Sequence, residues 1–221
     1  MSTDSTESRI NKKKEDAMLA EKSRLWQKLF TDRLPDFEGF DPGLNAAFAA
    51  NWLATIEAFE RHPTDENTQD QLQDYTQTMY EAANRALDKL RDLVYFVQRA
   101  FPGSKRKLDE FATDQIPRLR QKNFTDMVAQ CYVTHRVLLQ YQTKLEAAGM
   151  PPTLPAQWLQ TTNQLNEAML QQKHYMRTRI QLTGQRIALY NTLYHNHRTV
   201  AEAARIVYAQ RPDIARQYTA E

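Results

Sequence analysis

The chain has 221 residues, of which 41% are hydrophobic and 25% are charged, and its net charge is +2 at pH 7. That length allows one sizeable hydrophobic core or two small ones, and the composition is that of an ordinary globular protein. So small a net charge disfavours nucleic-acid binding as the main activity, because such proteins usually carry a strong basic field. The single cysteine, Cys131, excludes a disulfide within the chain.

The sequence gives no sign of a membrane span or of a secretory signal. No apolar run approaches the roughly 20 residues that a membrane-spanning helix needs. The polar N-terminus also lacks the apolar stretch of a signal peptide. We therefore expect a cytoplasmic protein.

The composition predicts helices throughout. Glycine is scarce, with 5 residues, whereas Gln, Ala, Leu and Arg are frequent and lose little side-chain entropy in a helix. No segment shows the alternation between turn signals that is typical of strands. The predicted fold class is all-α, an elongated up-and-down helical bundle with about five substantial helices. It should form a single domain over residues 9–221, after a flexible tail at residues 1–8.

The first predicted helix covers residues 9–33, where apolar residues recur at helical spacing. Leu34-Pro35 should end it, because the residue before a proline avoids the helical conformation. The next seven residues are expected to form a loop in which Phe37 and Phe40 are both buried.

Two further helices are predicted before residue 103. Asp41-Pro42 predicts the start of one, since Asp is a good N-cap and Pro suits the first helical turn. This helix should end at His62-Pro63. The following one should run from about Thr68 to Phe101, where Pro102-Gly103 stops it. Its apolar stripe has near-heptad spacing, which predicts near-parallel packing against neighbouring helices.

The second half of the chain predicts a short helix near residues 105–112 and two long ones. The first long helix should run from Pro117 to Ala148. The second should be continuous from Pro155 to Gln210, with only Gly184 to weaken it. Its predicted buried stripe consists of Leu165, Met169, Met176, Ile180, Ile187, Tyr190, Tyr194, Ala201, Ala204 and Tyr208.

Histidines and tyrosines on predicted buried faces are the candidate ligand-binding residues. His135 lies on the apolar stripe of the helix that begins at Pro117. His197 lies on the apolar side of the last helix, together with Tyr190 and Tyr194. These side chains would bind a ligand or carry protons in a pocket between helices. The alternative is that they are core residues whose polar atoms have found partners.

The sequence predicts no catalytic residue, no metal site and no cofactor. A Glu-x-x-His pair, which helical metal sites use, does not occur. His195 and His197 are two residues apart and therefore point to different faces of a helix. There is also no nucleophile elbow, Cys–His signature or phosphate-binding glycine loop.

These observations favour a non-enzymatic structural or interaction protein, such as a scaffold, adaptor or assembly subunit, which binds a protein partner or a second copy of itself. The alternative is a bundle that binds a small apolar ligand. Nucleic-acid binding is the least favoured function. Its support is that residues 104–221 hold 16 Lys and Arg against 9 Asp and Glu.

Overall fold

The computed structural model describes residues 16–219, so the predicted tail at 1–8 lies outside it. Every regular element in the described range is helical, which confirms the all-α fold class. Five of the helices have 16 residues or more, in agreement with the predicted number of substantial helices. The helices are α1 (Asp16–Asp32), α2 (Leu34–Phe40), α3 (Ala46–Arg61), α4 (Asp65–Ala100), α5 (Lys105–Glu110), α6 (Gln115–Arg120), α7 (Phe124–Gln140), α8 (Gln142–Ala147), α9 (Leu154–Val207) and α10 (Pro212–Ala215), followed by a 3-10 turn (Arg216–Tyr218).

The chain divides into two compact units. The described residues up to Thr68 and those from Arg179 onward form unit 1, and Gln69–Thr178 form unit 2. Helix α9 contributes residues to both units. The expectation of a single domain over residues 9–221 stays a prediction. Among residues 16–219, none of the helices combines the length and the apolar character that crossing a membrane requires.

Unit 1 has an aromatic core built from α1, α2, α3 and the second part of α9. The ring of Phe30 on α1 packs against Phe37, Phe48 and Trp52 at centroid distances of 4.8, 5.5 and 6.1 Å. Large rings bury much apolar area, and tilted or edge-on contacts between them add to that stabilisation. These rings fix α2 and α3 against α1.

The predicted loop at residues 35–41 is wrong in part, because α2 begins at Leu34 and includes Pro35 in its first turn. A proline lacks the N–H that an initial helical position leaves unpaired, so it can start a helix as well as end one. Phe37 is fully buried as expected, but Phe40 is 48% exposed. The start of α3 is also later than predicted, because Asn45 is its N-cap and accepts from the backbone N–H groups of Ala47 and Phe48.

Unit 2 packs α4, α7 and the first part of α9 around one apolar core, in which Leu90 of α4 is 3% exposed. Side-chain hydrogen bonds of Trp158 and Tyr132 are among those that join α7 to α9. The indole N–H of Trp158 donates to the carbonyl of Cys131 at 2.9 Å, and the hydroxyl of Tyr132 donates to Asn163 at 2.9 Å. The first of these satisfies a polar group that is fully buried.

The predicted helix from Pro117 to Ala148 is wrong, since it consists of α6, α7 and α8. The side chain of Asn123 accepts from the N–H groups of Thr125 and Asp126, and this cap starts α7 anew. A second interruption occurs at Tyr141, between α7 and α8. The apolar spacing keeps its phase across both breaks and so conceals them in the sequence.

The long last helix is confirmed, because α9 is continuous from Leu154 to Val207. Its predicted stripe is buried at five of its ten positions and half-buried at three, whereas Met176 and Ile180 are 48% and 68% exposed. Helical periodicity shows which residues share a face. It does not show whether a neighbouring helix covers that face.

We expect opposite effects from two Gly→Ala substitutions. Gly149 has a φ of +98° after α8, where an L-residue is strained, so Gly149→Ala should lower the free energy of unfolding by about 1 kcal/mol or more. Gly184 lies inside α9 and a Cβ there would meet nothing within 4 Å. Gly184→Ala should therefore raise that free energy by about 0.5–1 kcal/mol. Urea unfolding measures both, and effects of the same sign would contradict the assigned backbone conformations.

Candidate functional site

The four predicted ligand-binding residues fall in two different units. Tyr190, Tyr194 and His197 lie on the part of α9 that belongs to unit 1, and His135 lies on α7 in unit 2. Tyr190 and His197 are buried, whereas Tyr194 and His135 are half-buried. Each residue is therefore described in its own unit.

His197 is held inside the aromatic core of unit 1. Its Nε2 atom is 2.7 Å from the hydroxyl oxygen of Ser23, which is also buried. The imidazole stacks on Trp26 at a centroid distance of 4.6 Å, and Trp52 meets it edge-on at 5.7 Å. A serine–histidine pair could act in catalysis only if substrate reached it, and here tryptophan rings cover it. The contacts are those of a core histidine.

A buried indole N–H lies beside this pair. Trp52 is fully buried, and its Nε1 atom has no hydrogen-bond partner within the described residues. Such groups are rare in protein cores because an unpaired donor carries a desolvation cost of about 1–3 kcal/mol. The size and packing of the ring offset this cost.

Tyr190 belongs to a second part of the unit 1 core, which includes a buried arginine that sequence analysis missed. The ring of Tyr190 is 6.4 Å from that of Phe59, and the guanidinium of Arg186 lies 4.5 Å above Phe59. Arg186 also donates to the carbonyls of His62 and Pro63 at 2.9 and 3.3 Å. A cation at these carbonyls is favourable because they follow the C-terminus of α3. The available signal was that Arg186 lies four residues before Tyr190, on the same face of α9.

Burial shifts the pKa values of two titratable side chains of unit 2, the candidate His135 and the single cysteine, Cys131. Burial raises the pKa of the Cys131 thiol to about 12, and desolvation lowers the pKa of His135 below its ordinary value. The Cys131 thiol is thus neutral near pH 7, and burial favours the neutral form of the His135 imidazole. Over the described part of the chain, no group of three or more His, Cys, Asp or Glu side chains is arranged to bind a metal ion.

A cationic and aromatic surface lies on unit 2, where α4, α6, α7 and α9 meet. We call it the Tyr80 surface and define it by Tyr80, Arg120, Phe124 and Lys173. The Tyr80 ring is 42% exposed, meets Phe124 edge-on at 5.3 Å and lies 5.9 Å below the Arg120 guanidinium. The Lys173 ammonium donates to the hydroxyl of Thr125, next to Phe124, at 2.7 Å. These contacts join four helices into one surface.

The two cations of the Tyr80 surface take no part in ion pairs. No carboxylate among residues 16–219 forms an ion pair with Arg120 or Lys173, whereas Lys107 elsewhere in unit 2 pairs with Glu110 at 2.7 Å. The acids that follow Tyr80 and Thr125 in the sequence bind amide donors instead. Glu81 accepts from Gln77 at 3.0 Å, and Asp126 accepts from Asn123 at 2.8 Å.

Comparisons of the chain with protein-family models, with curated proteins and with solved structures give no match. The inference of function therefore rests on the geometry of the described residues.

Ser23→Ala should lower the free energy of unfolding by about 1–3 kcal/mol, because it leaves Nε2 of a buried imidazole without the serine hydroxyl. The better helix propensity of Ala offsets at most about 0.5 kcal/mol of this loss. Urea unfolding measures the change, and Lys28→Ala on the exposed face of α1 is the matched control, expected within about 0.5 kcal/mol of wild type. Equal effects of the two substitutions would show that the pair contributes nothing.

Cys131 in the folded protein should resist alkylation by iodoacetamide at pH 8, because a thiol with a pKa of about 12 holds almost no thiolate there. The unfolded thiol ionises near pH 8.5, so stability should fall as the pH rises from about 8.5 towards 12. Mass spectrometry follows the labelling, with the urea-unfolded protein as the control. Equally fast labelling of the folded and unfolded protein would contradict the burial of this thiol.

Proposed function

We propose that this chain is a non-enzymatic interaction protein that binds an acidic segment of a partner protein on its Tyr80 surface. The observation that supports this most directly is the exposed ring of Tyr80, held between Arg120 and Phe124 and flanked by cations that lack carboxylate partners. A cytoplasmic location belongs to the same proposal, supported by the free thiol of Cys131.

The composition of the surface matches that of binding hot spots. Tyrosine and arginine are enriched where truncation costs most binding energy, since they supply a large contact area and several donors. The contacts of Tyr80 with Phe124 and Arg120 limit its rotamers before a partner arrives, which reduces the entropy lost on binding. Complementary charge in the partner would speed association and favour acidic sequences over basic ones.

An acidic protein segment fits this surface better than a nucleic acid does. The sequence pI is about 8.6, below the basic range typical of nucleic-acid-binding domains. Single strands are usually bound by successive aromatic platforms along a cationic groove. Here one face of the exposed ring is already covered by Arg120, and Phe124 is half-buried.

The polar groups that could suggest catalysis lack the features of a nucleophile. The Ser23–His197 pair lies behind tryptophan rings, and the thiol of Cys131 retains its proton. Neither group has the exposure and ionisation state that a nucleophile needs.

The test is fluorescence anisotropy of a fluorescein-labelled peptide of alternating Glu and Phe, titrated with the full chain. A peptide with Gln in place of Glu should bind at least about ten-fold more weakly, and added salt should weaken the Glu peptide further. Light scattering of the protein alone establishes whether the binding species is a monomer.

Two substitutions on one helix sharpen this test. Tyr80→Ala should weaken binding of the Glu peptide about ten-fold or more, as truncation of a hot spot does. The matched control is Tyr95→Ala, which removes another exposed tyrosine of α4 that also packs under an arginine, Arg99. Equal losses, no binding of the Glu peptide, or tighter binding of an oligo-dT strand would each overturn the proposal.

A further inference from the structure

Two shallow grooves flank Arg91 on α4 of unit 2, away from the residues that define the Tyr80 surface. The first has a volume of about 320 Å³ and is lined by Leu87, Leu90, Arg91, Val94, Thr113 and Pro117. The second, of about 370 Å³, includes Tyr95, Phe96 and Pro151 and shares Arg91 with the first. Both volumes are within the lower range of small-molecule sites in proteins.

The first groove exists because a turn, and not a long helix, covers this part of α4. After α5 the backbone turns at Ala112, whose φ is +55°, and the N–H of Thr113 donates to the carbonyl of Leu108 at 3.3 Å. This pattern is the Schellman end of a helix, here with alanine where glycine is usual. Ala112 is buried, so the turn is held in place and forms a fixed wall.

The wall formed by α4 is apolar and only partly covered. Leu87, Leu90 and Val94 are spaced three and four residues apart, so they lie on one face of the helix. Leu90 is 3% exposed, but Leu87 and Val94 are half-buried. An apolar chain laid along this face would remove the remaining apolar area from water, at roughly 25 cal/mol per Å².

Arg91 is the only ionic side chain among the six that line the first groove. Its Nη1 atom contacts the carboxylate of Asp88, whose side chain is 64% exposed, and the Arg91 side chain is 77% exposed. A pair so exposed is weak, because water screens it. Four further N–H donors of the guanidinium remain for an anion, and arginine binds carboxylates in a two-pronged geometry.

We infer that this groove binds an amphipathic monocarboxylate, with an alkyl chain along Leu87, Leu90 and Val94 and a carboxylate on Arg91. This ligand class goes beyond the proposed function and does not depend on the Tyr80 surface. The charge of Arg91 favours an anionic head group, and the apolar wall favours an alkyl chain.

Isothermal titration calorimetry of the full chain with decanoate and with decanol tests the inference. Decanoate should bind about ten-fold more tightly than decanol, since only decanoate offers a charge to Arg91. Arg91→Gln should abolish that preference and leave decanol binding unchanged. The matched control, Arg85→Gln on the exposed surface of the same helix, should keep the preference.

A second set of variants locates the alkyl chain. Leu87→Gln should weaken decanoate and decanol alike, and Tyr95→Ala in the second groove should weaken neither. The inference is overturned if decanoate does not bind below about 1 mM, or if Arg91→Gln and Arg85→Gln behave alike. It is also overturned if Tyr95→Ala removes binding. Binding only to phosphatidylglycerol vesicles, and not to free decanoate, would assign the surface to a membrane and likewise overturn it.

Discussion

The structure depends on burial of the apolar residues of α9. This helix has 54 residues, and most of the stability of helices in proteins comes from tertiary packing of their apolar faces. In unit 2, Trp158 and Leu165 of α9 are buried against α4 and α7, and in unit 1 Tyr190 and Leu193 are buried against α1 and α3. The cores of both units thus include residues of one helix, and the shorter helices supply the surfaces that cover it.

Much of this arrangement follows from local sequence signals. The helix ends at Pro102-Gly103 and at Gly149 can be predicted from the sequence, because they depend only on backbone chemistry. Both glycines have a positive φ. The stripe of Trp52, Ile56 and Phe59 is buried because its spacing matches a helix and no polar residue interrupts it. The continuity of α9 follows from the absence of any strong helix breaker.

The remaining features depend on partners that are distant in sequence. Ser23 and His197 are 174 positions apart, so their hydrogen bond has no local signal. The contact of Arg120 with the Tyr80 ring also joins residues that are distant in sequence, so it has no local signal either. Asn123 interrupts a helical pattern whose apolar phase is preserved, and Met176 and Ile180 keep that phase where no neighbour covers them. Sequence periodicity therefore located the faces but not the helices that pack on them.

The location of a candidate site likewise depends on tertiary packing. His135, Tyr190, Tyr194 and His197 were selected as polar or aromatic groups on apolar faces, and packing explains the buried His197 and Tyr190 by contacts with other core side chains. The Tyr80 surface was not visible in the sequence, because its residues come from four helices. It combines exposure, restricted aromatic geometry and uncompensated charge, which are the properties expected of a binding surface.

Hydrogen–deuterium exchange of the full chain, with and without the alternating Glu and Phe peptide, tests directly whether the Tyr80 surface binds an acidic segment. We expect slower exchange on peptide binding at α6, the first turns of α7 and the part of α4 around Tyr80, with no change around His197. The same experiment with the Gln peptide should show no protection at those segments. Protection confined to the core of unit 1, or none at the Tyr80 surface while the Glu peptide is bound, would show that the peptide binds elsewhere.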